Sequence, residues 1–224
     1  MIFFVCTETR EKYRNAIYAK VKMIFEDLAG DICLMLHYTD FNQTLIHRYL
    51  PWAIVYSGRG SAYDVDAVLE TPTLRDAILN TNVPQLGICG GHQIIASYYG
   101  SRIDAIRKLR DNEPDTHPDN SPGYFKEMGV YPVGITKQDL LFEGMGTVIR
   151  VIQSHHWEVK ELSPTLKIIA SNNEVRIQAF TDPNRCLYGV QFHPERYTDE
   201  YPDGRDVLKN FFAVARDNND GQTQ

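Results

Sequence analysis

The chain has 224 residues, 43% of them apolar and 23% charged, with 23 Lys and Arg against 29 Asp and Glu and a formal net charge of −6. That length can bury a core without staples, and the acidic balance argues against a nucleic-acid binder built on a broad basic face. The four cysteines form no C-x-x-C pair, and no apolar run approaches the roughly 18–20 residues of a membrane span. The apolar start meets Glu8, Arg10, Glu11 and Lys12 too early for a secretory signal, so a cytoplasmic globular protein is expected.

In chain order, Ile2-Phe3-Phe4-Val5 is a continuous run of β-formers, as suits a strand buried on both faces. Tyr13, Ile17, Val21, Ile24, Phe25 and Leu28 follow at helical spacing, with Gly30 as a stop. A second strand is expected over 32–36, a short helix over 41–49 and a third strand over 52–56 that ends in Ser57-Gly58-Arg59-Gly60. A helix over 69–79, with Pro72 in its first turn, precedes a fourth strand at 85–88. This alternation predicts an α/β fold with an open, mostly parallel sheet flanked by helices.

The second half reads differently. Residues 109–123 hold Pro114, Pro118 and Pro122 among small polar residues, so a long loop is expected there, mobile or functional. Shorter β-rich runs cover 130–135, 147–153, 166–171, 175–181 and 187–192, the additional strands of the sheet. A closing helix is expected over 205–216. The organisation is then one domain over residues 1–216, followed by a polar, frayed tail over 217–224.

The most informative window is Gly87-Ile88-Cys89-Gly90-Gly91-His92-Gln93. A G-x-nucleophile-x-G turn between strand and helix is a nucleophile elbow, which would expose the Cys89 thiol at the amino end of a helix, where positive potential favours thiolate. The other reading of a lone cysteine, a small buried hydrophobe, is kept for Cys6, Cys33 and Cys186. A thiol nucleophile needs an imidazole to move its proton and a third group to orient that imidazole. Gly189-Val190-Gln191-Phe192-His193-Pro194-Glu195 offers both, with His193 as base and acid and Glu195 two residues on. The Gly58 loop can turn N–H groups toward a developing oxyanion, beside the N–H of Gly90. An ordinary turn with two glycines would look the same.

The ordered set S-G-x-G, G-I-C-x-G-H-Q, S-H and G-V-Q-F-H-P-E resembles the class I glutamine amidotransferase family, triad type, across nearly the whole chain. The resemblance implies a flavodoxin-like fold and a glutaminase that releases ammonia through a γ-glutamyl thioester. By position it implies Cys89, His193 and Glu195 as the catalytic set and Gly58 and Gly90 as the oxyanion hole. Gly60, Gln93, Ser154, His155, His156 and Trp157 then fall where the substrate would be held. Departures include Arg59 where many relatives have Pro, and His156 where some have Gly. Arg59 is expected either to hold an acidic group of a partner or substrate, or to be a solvated loop charge.

No phosphate-binding G-x-x-x-x-G-K-[ST] signature is present, so ammonia is expected to pass to a separate synthetase acting in trans. The alternative is a stand-alone hydrolase of γ-glutamyl amides with water as sole acceptor. Glutamine or a γ-glutamyl amide is thus the expected substrate, with no nucleic acid, membrane or cofactor. A zinc reading of Cys89, His92, His155, His156, His193 and Glu195 lacks the local ligand spacing such sites use, so no metal is expected.

Overall fold

The computed structural model describes residues 1–222. In order, the elements are β1 (Ile2–Cys6), α1 (Arg10–Tyr13), α2 (Ala16–Ala29), β2 (Cys33–His37), α3 (Gln43–Tyr49), β3 (Ala53–Tyr56), α4 (Pro72–Asn80), β4 (Gln85–Ile88) and α5 (Gly90–Tyr98). There follow β5 (Arg102–Ala105), β6 (Glu127–Ile135), β7 (Val148–His155), β8 (Trp157–Glu161), β9 (Lys167–Ser171), β10 (Ala179–Asp182), β11 (Leu187–Val190) and α6 (Asp203–Gln222).

Nine strands form a mixed sheet in the order β2-β1-β3-β4-β11-β10-β9-β6-β7. The first five pair in parallel and the remaining four antiparallel, so the α/β class with added antiparallel strands agrees with the sequence. Alternate side chains of β1 feed two cores. Ile2 and Phe4 pack with Phe25 of α2 and Phe211 of α6, while Phe3 and Val5 pack with Tyr56, Leu74 of α4 and Ile95 of α5. Burial on both faces is why β1 reads as an unbroken apolar run, and each fully buried Phe is worth about 1.5–3 kcal/mol.

Local chemistry sets the helix ends. The helix expected across 13–28 is interrupted because Asn15 re-caps the chain, its Oδ1 accepting from the Ile17 N–H at 3.0 Å. Gly30 ends α2 in the left-handed region at φ 62°. Pro72 occupies the first turn of α4, which starts later than the periodicity suggests because residues 68–70 form a separate 3₁₀ turn.

Three further expectations change. The 217–224 tail is helical as far as the structure describes it, through Gln222, because extending an anchored helix adds one hydrogen bond per residue without a new nucleus; residues 223–224 lie outside the described residues. The strand expected from 175 begins at Ala179, since Asn172 Oδ1 accepts from the Glu174 and Val175 N–H groups and holds a turn there. A separate antiparallel pair, β5 with β8, was not anticipated; Arg102, Asp104 and Glu161 are exposed on it, while Glu158 is buried. No helix among the described residues is long and apolar enough to cross a membrane.

Candidate active site

The parallel register brings the loops after four strands to one edge. Val5 pairs with Tyr56, Tyr56 with Gly87, and Ile88 with Val190. Glu8, Gly58–Gly60, Cys89 and His193–Glu195 therefore emerge together at the carboxyl ends of β1, β3, β4 and β11. That edge is where open α/β sheets hold ligands.

Cys89 joins β4 directly to α5 with φ 48° and ψ −101°. A left-handed non-glycine residue costs on the order of 1–3 kcal/mol and persists only where its surroundings enforce it. Here the Cys89 N–H donates to Val190 O at 2.8 Å and Cys89 O accepts from the Gln93 N–H at 3.1 Å. Gly90, next in the chain, lies so close to Arg59 that any Cβ would collide with that residue's backbone and Cβ. The elbow thus presses the start of α5 against the Gly58 loop.

His193 is held by its backbone N–H, which donates to Ile152 O at 2.8 Å, and by its ring, whose Nδ1 meets Glu195 Oε1 at 2.7 Å. Both side chains are more than nine-tenths buried. Burial alone would lower the imidazole's pKa, but the Glu195 and Cys89 side chains outweigh it and push the value up to about 9. Burial pushes Glu195 the other way, and the neighbouring His193 still leaves it below the ordinary carboxylate range. Gly58 sits between the chemical groups: a Cβ there would lie 2.7 Å from His193 Cε1 and 3.6 Å from Cys89 Cβ. Only glycine lets the loop approach both.

That loop is fixed from below. The Ser57 and Thr7 hydroxyls donate to Gly58 O at 2.8 and 3.4 Å, and Glu8 Oε1 accepts from the Gly60 and Ser61 N–H groups. Arg59 corrects the expectation placed on it. Its side chain is fully buried, paired with Asp66 at 2.6 Å and donating to Ala62 O and Thr7 O. It is therefore neither a hook for a partner nor a solvated charge; it ties the loop back onto its own chain.

Gly60, Cys89, Gln93, Ser154, His155, His156 and Trp157 line one cavity of about 240 Å³. Gly58, His193 and Glu195 line a neighbouring cavity of about 320 Å³. Gln93 is tethered on both ends of its amide: Nε2 donates to Trp157 O and Gln191 Oε1 at 2.8 and 2.9 Å, and Oε1 accepts from the Tyr63 hydroxyl. His155 meets Trp157 O at 2.9 Å and Glu127 Oε2 at 3.0 Å. His156 Nε2 meets Ser121 Oγ at 2.8 Å, and burial holds its pKa below the ordinary value.

The 109–123 loop is built rather than slack. Arg107 pairs bidentately with Glu113, buried Lys126 reaches Asp115 at 2.8 Å, and Leu109 and Gly123 are joined by a backbone hydrogen bond. It brings Asn120 and Ser121 to the wall of the smaller cavity. Sequence reasoning did not single these out, nor Glu8, Tyr63, Asp66 or Gln191, whose Nε2 reaches Cys89 Sγ at 3.6 Å. Of these, only Gln191 carried a sequence signal, because it lies inside the G-V-Q-F-H-P-E motif.

A thiol, an imidazole wired to a carboxylate and a glycine loop touching both can carry out nucleophilic attack with proton shuttling. The family model of glutamine amidotransferase class-I matches residues 36–215. Among curated relatives, the glutamine-hydrolyzing GMP synthase subunit of Pyrococcus abyssi is 36% identical over 60% of this chain and 61% of its own length. The Sulfolobus acidocaldarius protein of that name is 34% identical over 63% and 65%, and the Thermococcus kodakarensis one 30% over 74% and 76%. The chain thus spans less than two thirds of the first two of these relatives. A candidate GMP synthase subunit from Thermoplasma acidophilum shares the fold with a TM-score of 0.75 at 21% identity, covering 100% of this chain and 98% of that one. A glutamine amidotransferase from Thermotoga maritima does so with a TM-score of 0.64 at 16% identity, covering 100% and 85%. At those identities the two structures establish the flavodoxin-like fold.

Proposed function

The chain belongs to the glutamine amidotransferase class-I family, and from that premise we propose that it hydrolyses the side-chain amide of glutamine and supplies ammonia to a separate synthetase. Cys89 Sγ attacks the γ-carbonyl carbon, the N–H groups of Gly58 and Gly90 receive the oxyanion, and His193 gives its proton to the departing ammonia. Water, deprotonated by His193, then opens the thioester and releases glutamate. Glu195 holds the imidazole's orientation through the 2.7 Å contact with Nδ1. The smaller cavity would take the glutamyl part of the substrate, with Ser154, His155, His156 and Trp157 along its wall.

An amide is a poor electrophile with a poor leaving group, and this division turns one hard step into two easier ones. Each oxyanion donor is typically worth about 3–4 kcal/mol. The names of the curated relatives point to the synthetase part of a GMP synthase as the partner. The same reading puts the protein in the cytoplasm, where a nucleophilic thiol stays reduced.

The observation that carries the reading is a cysteine held at φ 48° between strand and helix, with a buried histidine–carboxylate pair beside it. The test is ammonia release from glutamine by the wild-type chain and by Cys89→Ala. The variant is expected to lose turnover while keeping its fold; ammonia release surviving the substitution would overturn the mechanism.

A further inference from the structure

We propose that the cavity of about 320 Å³ beside His193 is a leaving-group site, and that the chain also hydrolyses γ-glutamyl amides of apolar primary amines. This rests on the reading of Cys89 and His193 given above. In that chemistry the amide nitrogen leaves with the proton of His193, so any substituent on the nitrogen lies on the His193 side of the bond. The glutamyl carbons lie on the other side, in the cavity that Cys89 lines.

The two cavities meet where this geometry requires. Arg59, Gly60 and Ser154 line both, and the larger one alone is bounded by Gly58, His193 and Glu195. Ammonia needs about the room of one water, roughly 30 Å³. The space beside His193 is about ten times that, within the range of sites that enclose an organic ligand. One part of its wall is apolar, made by Phe4 of β1, Tyr18, Val21 and Ile24 of α2, and Ile88 of β4; Glu8, Lys20, Arg59, Glu195 and Arg196 line the rest. The apolar part offers burial to a hydrocarbon chain, worth about 0.8 kcal/mol per CH₂.

Glu195 supplies a second, independent observation. It lines this cavity, its side chain is 8% exposed, and while Oε1 holds His193, Oε2 is buried without a hydrogen-bond partner among the described residues. A buried carboxylate oxygen left open is an acceptor for a donor arriving in the cavity, and the N–H of a substituted amide or departing amine is such a donor.

The reaction balances without a further reagent. The Cys89 thiolate bonds to the γ-carbonyl carbon. The tetrahedral species collapses with cleavage of C–N, the electron pair stays on nitrogen, and His193 protonates it. The amine leaves through the larger cavity. Water gives a proton to His193 and adds to the thioester, the C–S bond breaks, and glutamate and the thiolate are released.

The experiment compares L-glutamine with γ-L-glutamyl benzylamide on the purified full chain, following glutamate release. The wild type is expected to turn over both. Ile24→Trp, which fills the cavity, is expected to lower kcat/KM for the benzylamide by about tenfold or more while changing that for glutamine by less than about twofold. Ile17→Trp at the cavity mouth repeats the test at a half-exposed position, so a folding failure of the first variant does not remove it. Turnover of glutamine without the benzylamide, as for a mere ammonia exit, would overturn the proposal. So would equal losses on both substrates in a filled variant that keeps its melting temperature. No glutamate from either substrate in the wild type would instead overturn the glutaminase reading beneath it.

Discussion

Among the described residues the fold buries two histidine–carboxylate pairs, and they are wired in opposite ways. His193 gives one ring nitrogen to Glu195 and keeps its other side toward Cys89 and Gly58. His155 has both nitrogens against acceptors, Trp157 O and Glu127 Oε2. Glu127 in turn accepts from Gln178 Nε2 at 2.8 Å and Asn172 Nδ2 at 2.7 Å, so both of its oxygens are taken. Two further rings are buried: His37 has its nitrogens 2.8 Å from Thr39 Oγ1 and Glu8 O, and His92 packs on Phe180 and is pulled down to about 3 by burial, which keeps it neutral. Burial is common to all four histidines. What separates a reactive imidazole from a structural one is a ring side left facing a nucleophile.

The largest expected effect is His193→Ala, which should lower glutamine turnover by about 10⁴-fold or more, nearly as far as loss of Cys89, because the members of such a set act as a unit. Ammonia release under saturating glutamine, beside a melting curve, checks it. His155→Ala giving an equal loss at unchanged stability would erase the distinction between the pairs.

Glu195→Gln should be milder, since it removes orientation and charge but not the nucleophile or the base. Turnover is expected to fall by up to about 10⁴-fold, and the basic limb of the pH–rate profile should move to lower pH as the attraction that raises His193 is lost. The sign for stability follows. The folded value of His193, about 9, is above the ordinary imidazole value of about 6.5. Its charged form therefore stabilises fully below about 6.5, and that gain is lost as pH climbs through about 9. Glu195, held low, adds stability above the ordinary carboxylate range, lost on acidification through its depressed value. Wild type and Glu195→Gln should thus differ most in melting temperature in the neutral range and converge at both ends.

Glu127→Gln should affect the other pair in the other currency. It takes a charged acceptor away from the buried His155, Gln178 and Asn172 donors, at a cost of about 1–3 kcal/mol, read as a lower melting temperature. The maximal rate should change little, and KM for glutamine should rise as the Ser154–Trp157 wall loosens. Smallest is Ser121→Ala, which removes one hydrogen bond to His156 and about 0.5–1.5 kcal/mol of it. KM should shift by a few-fold with kcat unchanged.

How much of this was legible follows from how local each signal is. Strands β1, β3 and β4 are buried on both faces, so their apolar runs stand out, and the Cys89 elbow and the His193–Glu195 turn are each written within seven residues. The pairing of Cys89 with His193 came from chemistry and resemblance rather than from spacing. Less legible was whatever the sheet assembles from a distance. Glu8 holds Gly60 across 52 positions, and Tyr63 reaches Gln93 across 30. Arg59 was read either as a hook for an acidic group or as a loop charge because nothing local marks Asp66 as its partner. The 109–123 loop looked slack because proline and small polar residues give no hint of the Arg107–Glu113 and Lys126–Asp115 ion pairs that fasten it. β8 was missed although Trp157-Glu158-Val159-Lys160 alternates as a strand does; it carries the carbonyl on which Gln93 and His155 both converge.

The most direct measurement is covalent trapping with a diazoketone analogue of glutamine, followed by peptide mass mapping. Four free thiols compete for it, three of them at Cys6, Cys33 and Cys186, whose pKa values burial pushes up to about 11 to 12. A single adduct at Cys89, formed with loss of activity and prevented by excess glutamine, is the expected result. Labelling at another cysteine, or labelling of Cys89 that glutamine does not slow, would contradict the assignment of this edge of the sheet as the glutaminase site.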